Sequence, residues 1–145
     1  MQIRKMKESD INGVVEILVD EFSKKPYNEK WGKRQAFVRV KTLWRGAPEY
    51  CLVCIENNRV VGMLLSETYD YFDGKRCWIT DFAVIGESQG RGYGMKLLEK
   101  LEEKLVKKKF AKILFESHLK SSATGFYKKK GYKKNGFIIM EKNLK

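Results

Sequence analysis

The chain has 145 residues, of which 43% are hydrophobic and 12% aromatic, and a net charge of +12. That length supports one core, so a single domain over residues 1–145 is expected. The hydrophobic content excludes a mainly disordered chain.

The opening residues Met1 to Met6 carry charge with no apolar run behind them. Residues 11 to 22 are amphipathic but broken by Glu16, Asp20 and Glu21, which fits neither a signal peptide nor a membrane span. A soluble cytoplasmic protein without a membrane partner is expected. Ser9 and Asp10 are N-cap residue types, and Ile11, Val14, Val15, Leu18 and Phe22 recur at helical spacing, predicting a helix over 10–23. A second helical pattern, Phe37, Val40, Leu43 and Trp44, ends before Gly46 and Pro48.

From Tyr50 the period shortens. Residues 51–56 and 59–68 read as strands joined through Asn57-Asn58, a pair that tolerates the positive φ of a tight hairpin. Asp73-Gly74 marks the next turn, before a strand over 76–85. Glycines crowd residues 86 to 94, and behind them Leu97, Leu98, Leu101 and Leu105 form one face of a charged helix. A strand over 112–117, a short helix over 121–130 stopped by Gly131, and a last strand over 137–142 complete the pattern. The order ααβββαβαβ predicts an α/β fold, a mixed and mostly antiparallel sheet flanked by helices.

Cys51 and Cys54 make a Cys-x-x-Cys, but within a strand these positions face opposite ways, no second pair exists and His118 is the sole histidine. The three cysteines read as small buried hydrophobes, and no metal is expected. The positive charge is spread along the chain without a nucleic-acid motif, so it reads as a lysine-rich surface that also attracts a polyanionic ligand. A basic nucleic-acid-binding module is the competing reading, and no nucleic-acid partner is expected.

The densest signal is Gln89-Gly90-Arg91-Gly92-Tyr93-Gly94, placed between a strand and a helix. Such a junction presents unpaired backbone N–H groups at the positive end of the helix dipole, where a pyrophosphate binds. Glycines there remove the Cβ atoms that block close approach, and Arg91 and Lys96 add charge. Neither the phosphate-loop spacing nor the Gly-x-Gly-x-x-Gly of a dinucleotide fold is present.

The run Asp81-Phe82-Ala83-Val84, followed by that turn and by Leu97-Leu98, resembles the GNAT N-acetyltransferase family, whose loop reads Gln/Arg-x-x-Gly-x-Gly/Ala. Ala123 to Tyr132 is similar to the family's Ala-x-x-x-Tyr-x-x-x-Gly-Phe/Tyr stretch. Two departures stand out: Lys120 where the family often has Asn, and Gly86 where it often has Pro.

The resemblance implies that an amine attacks the thioester carbonyl of acetyl-CoA, the co-substrate. Three needs follow. The amine must lose a proton held with a pKa of about 10.4, the oxygen that gains charge needs hydrogen-bond donors, and the departing thiolate gains from a general acid. Tyr127 matches the family's acid. Phe82, Ala83, Val84, Gln89, Gly90, Arg91, Gly92, Tyr93, Gly94 and Met95 match its acetyl-CoA-binding segments. Asp81 is the first choice as general base, with Glu67 and Asp70 as rivals and water alone as a further route.

In the family the acceptor meets the first two helices and the hairpin after the third strand. Phe22, Tyr27, Glu67, Asp70 and Tyr71 are the substrate candidates here, with Trp31 and Asp73 nearby. Acids among aromatics fit a small cationic amine resembling an aminoglycoside or polyamine. A protein Nα-amine or lysine is the enzymatic alternative, a coenzyme A sensor the non-catalytic one. The resemblance also allows a homodimer.

Overall fold

In the computed structural model, which describes residues 1–119, 121 and 123–145, the elements are β1 (Gln2–Lys5), α1 (Ile11–Glu21), α2 (Lys33–Gly46), β2 (Leu52–Glu56), β3 (Arg59–Tyr71), β4 (Gly74–Val84), α3 (Tyr93–Lys107), β5 (Lys112–Leu114) and α4 (Ala123–Lys129). One five-stranded sheet runs β1-β2-β3-β4-β5. Its first four strands are antiparallel, and β5 lies parallel to β4. The mixed α/β architecture is therefore as the periodicity indicated.

Local chemistry accounts for most elements. Asn57 and Asn58 both take positive φ, 50° and 58°, turning β2 into β3 through a tight hairpin. Leu97, Leu98, Leu101 and Leu105 of α3 are buried while Glu99 and Lys100 are exposed; each such leucine contributes about 1.5–3 kcal/mol. A Cβ at Gly62 would meet Leu97, so this face of β3 receives α3. Leu65, three residues on, faces the other way with its partner Asp81, which bonds to α2. Helices α1 and α2 thus cover one face of the sheet and α3 the other. Among the described residues no helix is long and apolar enough to cross a membrane. The cysteines are free and buried, and burial pushes the Cys51 and Cys77 thiols up to about 11, so they stay protonated at neutral pH.

The element order needs three corrections. Strand β1 is absent from the periodicity because Gln2-Ile3-Arg4-Lys5 carries one apolar residue; pairing with Leu52–Ile55 makes it a strand. Strand β5 stops at Leu114 instead of residue 117. No last strand forms over 137–142, which is exposed: a run apolar on both faces needs cover on both sides, and one copy of the chain places none there. Helix α4 starts at Ala123, and both Lys120 and Ser122 lie outside the described residues.

Asp10 also differs from its expected role. It ends a 3-10 turn, Glu8–Asp10, and makes no side-chain cap to α1. Its carboxylate accepts bonds from Arg4 Nη1 and Nη2 at 2.7 and 3.0 Å and from the Lys7 N–H at 2.7 Å, tying β1 to α1. Burial opposes its charge, yet the Arg4 and Lys7 bonds outweigh burial and hold the carboxyl below its ordinary pKa. A depressed carboxylate stabilises the fold above its unfolded pKa, about 3.9, and loses that contribution as pH falls through the folded value. Asp10→Asn is expected to cost about 1–3 kcal/mol at pH 7. That difference should shrink as pH falls below the unfolded value of about 3.9, as a series of urea denaturations at decreasing pH will show.

Candidate active site

The central strand opens where β4 and β5 part. Their pairing covers Arg76↔Lys112, Cys77↔Ile113 and Trp78↔Leu114, and β4 continues six residues beyond it. A bulge at Thr80 shifts the register against β3 between Leu65 and Ser66, and Thr80 Oγ1 donates to the Leu65 carbonyl at 3.1 Å. Beyond it, Ile85 N–H donates to Val61 at 2.9 Å. In an antiparallel ladder the bonding direction alternates. The N–H and C=O groups of Phe82 and Val84 therefore face away from β3, into the gap left by β5. Gln89 Nε2 donates to the Val84 carbonyl at 2.8 Å, fixing the following turn to this edge.

That turn leads into α3. Gly90 and Gly92 take φ of 78° and 79°, a left-handed conformation that costs other residues about 1–2 kcal/mol, and a Cβ at either would meet open space. The first intrahelical bond of α3 runs from Lys96 N–H to Gly92, and no side chain caps the helix. The N–H groups of Tyr93, Gly94 and Met95 have no intrahelical partner and lie at the positive dipole end. Below them the side chains lock the turn down. Arg91 pairs with Glu56 at 3.0 Å and lies 5.0 Å over the Tyr93 ring, whose hydroxyl donates to the same carboxylate. Gly94 sits close to Phe82, whose ring a Cβ at position 94 would meet at 3.6 Å.

Across the gap stands an aromatic group. Tyr127 of α4 packs 4.3 Å from Phe115, 5.2 Å from Phe126 and 6.3 Å from Phe82. Burial, followed by the neighbouring Tyr27 phenol, pushes its pKa up to about 12. Its hydroxyl has no hydrogen-bond partner among the described residues. On the opposite face of β4, Asp81 is 6% exposed and both its oxygens are bonded by Arg39, at 2.8 and 3.1 Å. Arg39 lies 5.5 Å over the Trp31 ring, and the Trp31 indole N–H donates to Glu29 at 2.9 Å. The Asp81 bonds hold the Arg39 guanidinium above its usual pKa, with Glu29 and Glu67 acting the same way from further off.

A splayed edge and an uncapped helix after a glycine turn fit an extended amide arm and a pyrophosphate, both of which coenzyme A carries. The sequence matches the model of the acetyltransferase (GNAT) family over residues 11–132. The chain belongs to this family. No curated protein sequence matches it significantly.

Solved structures resemble this GNAT chain throughout its length. A transcriptional regulator from Bacillus halodurans is 20% identical, covers 99% of each chain and gives a TM-score of 0.78. Glucosamine-6-phosphate N-acetyltransferase from Arabidopsis thaliana is 21% identical over 99% of this chain and 98% of its own, with a TM-score of 0.74. An aminoglycoside acetyltransferase from an uncultured soil metagenomic sample, in complex with trehalose, is 19% identical over 99% and 96%, with a TM-score of 0.77. At these identities the likeness is one of fold.

The GNAT fold gathers some sequence candidates and separates others. The Phe82–Val84 edge, the Gln89–Met95 turn and Tyr127 border one gap. Phe22 and Tyr27 stack 4.9 Å apart at the end of α1, with the Tyr27 phenol near Tyr127. Asp70 and Tyr71 lie elsewhere. Asp70 is five residues along β3 from Leu65, the partner of Asp81, a distance of about 17 Å. It pairs with Lys75 at 3.0 Å, and Tyr71 stacks under Arg76 at 4.0 Å, as a solvated hairpin tip. Arg39 and Phe115 were missed: Arg39 meets Asp81 only across 42 positions of sequence, and Phe115 reads locally as one more strand residue. Among the described residues no three His, Cys, Asp or Glu side chains cluster to hold a metal ion.

Proposed function

We propose that this N-acetyltransferase moves the acetyl group of acetyl-CoA to a small cationic amine in the cytoplasm, with Tyr127 as general acid. When bound, acetyl-CoA supplies the activated acetyl thioester. The amides of Tyr93, Gly94 and Met95 would hold its pyrophosphate, and the Phe82 and Val84 edge its amide arm. The Tyr127 phenol, protonated at neutral pH and without another hydrogen-bond partner among the described residues, would donate to the departing sulfur.

For the proton of the amine, three carboxylates were in view. Asp81 has both oxygens engaged by Arg39, so it serves better to fix Arg39 than to accept a proton. Asp70 stands about 17 Å away along the strand. Glu67 remains: it is exposed, lies within electrostatic reach of Arg39, and accepts the proton directly or through water. Glu67→Gln should lower kcat/KM at least about 10-fold at pH 7, with recovery as pH rises towards the amine's own pKa, about 10.4. A flat ratio of the two enzymes across pH would leave water as the acceptor.

The observation that carries the amine class is the acidic ring around one arginine. Asp81, Glu29 and Glu67 act on Arg39 beside Trp31, an acidic rim with an aromatic ring on a chain whose net charge is +12. A cationic acceptor is drawn to such a rim. Turnover assays over polyamines, aminoglycosides and peptides test it directly. Turnover confined to peptides would transfer the reading to protein Nα- or lysine acetylation.

A further inference from the structure

A carboxylate stands where attraction for an anion would not put one. Glu56, the last residue of β2, contacts the glycine turn with both oxygens engaged: Oε2 accepts from Arg91 Nη1 at 3.0 Å, and Oε1 accepts from the Tyr93 hydroxyl. Its side chain is only 20% exposed. An acid beside a polyanion site lowers affinity by repulsion, and here it also cancels the charge of the one arginine in the turn.

The turn needs a fixed conformation that its own residues do not supply. Gly90 and Gly92, at φ of 78° and 79°, have the widest backbone freedom, a Cβ at either would meet open space, and no side chain caps α3. Ordering such a segment as a ligand binds costs backbone entropy unless something orders it beforehand. Glu56 is anchored well enough to do so. It ends a strand paired on both sides, with Ile55 opposite Gln2 and Val60, and it faces Arg59 itself across the Asn57-Asn58 hairpin. Its two bonds reach the residues on either side of Gly92. The Arg91 guanidinium lies 5.0 Å over the Tyr93 ring and closes a triangle across that glycine.

We propose that Glu56 is a positioning residue for the acetyl donor: it clamps Arg91 to Tyr93 across Gly92 and holds the N–H groups of Tyr93, Gly94 and Met95 in their binding arrangement before coenzyme A arrives. The side chains of Arg91 and Tyr93 then serve the clamp and carry no phosphate. This role rests on the reading that those amides receive the pyrophosphate.

Coenzyme A is the probe, titrated calorimetrically. Glu56→Gln is expected to raise its Kd about 10-fold, as when the arranged turn falls to about a tenth of the population. Attraction alone predicts the opposite sign, because the substitution removes a negative charge and leaves Arg91 unpaired. Tyr93→Phe keeps every charge, loses one bond of the clamp and should weaken binding in the same direction. Hydrogen exchange separates a clamp from a structural prop. In the free protein, peptides covering residues 90–98 should exchange faster in Glu56→Gln than in wild type, with β3 and β4 unchanged. That difference should close once coenzyme A saturates both proteins. Affinity unchanged or tighter in Glu56→Gln, unchanged affinity in Tyr93→Phe, or faster exchange spreading through β3 overturns the clamp. The pyrophosphate reading fails by a different result, unchanged affinity in Gly92→Val, which would take the clamp with it.

Discussion

Tyr127→Phe is expected to lower kcat by about 100-fold, the lower end of what a positioned general acid contributes, with the affinity for acetyl-CoA nearly unchanged. The ring keeps its contacts with Phe115, Phe126 and Phe82, so stability should change by less than about 1 kcal/mol. The pH dependence separates this role from packing. With its pKa raised to about 12, the phenol stays protonated across the neutral range and well beyond. Wild-type kcat/KM should therefore climb with pH as the acceptor amine is freed, without a basic limb from Tyr127 below about pH 10. The sign for stability is the reverse: a raised tyrosine pKa leaves the fold unaffected below 10 and weakens it as pH rises through the folded value. Steady-state kinetics at saturating acetyl-CoA would show it. An unchanged kcat in Tyr127→Phe would leave the tyrosine as a wall of the gap and assign the acid elsewhere.

Gly92→Val should abolish measurable acetyl-CoA binding, a loss of at least about 100-fold by calorimetric titration. Two effects act in one direction. The φ of 79° strains an L residue by about 1–2 kcal/mol, and more for a β-branched one. The new side chain would also project from the turn whose following amides are proposed to receive the pyrophosphate. Since a Cβ at this exposed glycine meets no other atom of the protein, the fold should survive with a reduced Tm. Gly62→Ala is the control: its Cβ would press on Leu97, Cys54 and Val84 at 3.2–3.3 Å with no unfavourable φ, so it should destabilise the core more than it weakens ligand binding. Unchanged affinity in Gly92→Val would move the pyrophosphate away from this turn.

The readable part of this protein is what neighbouring residues determine together. The leucine face of α3, the Asn57-Asn58 hairpin and the glycines at 90 and 92 depend on helical period, backbone φ and the unpaired amides of one helix end. All of these act within a few residues. For the same reason the glycine turn proposed to receive the cofactor is legible in the sequence. The acceptor side is not. Whether a carboxylate is free or spoken for depends on distant partners, and Asp81 is bonded by an arginine 42 residues earlier. Asp70 and Tyr71 have the same residue types as the rim and differ only in lying far along the strand.

Sequence by itself thus determined the family, the sheet class and the glycine turn before α3, because those rest on local backbone chemistry and motif order. Tertiary structure alone decided that β4 and β5 part after Trp78, that Asp81 is engaged by Arg39 while Glu67 is exposed, and that residues 137–142 are exposed. Each of these is set by which surfaces meet, and strand pairing and ion pairing at long separation leave no periodic trace in the chain.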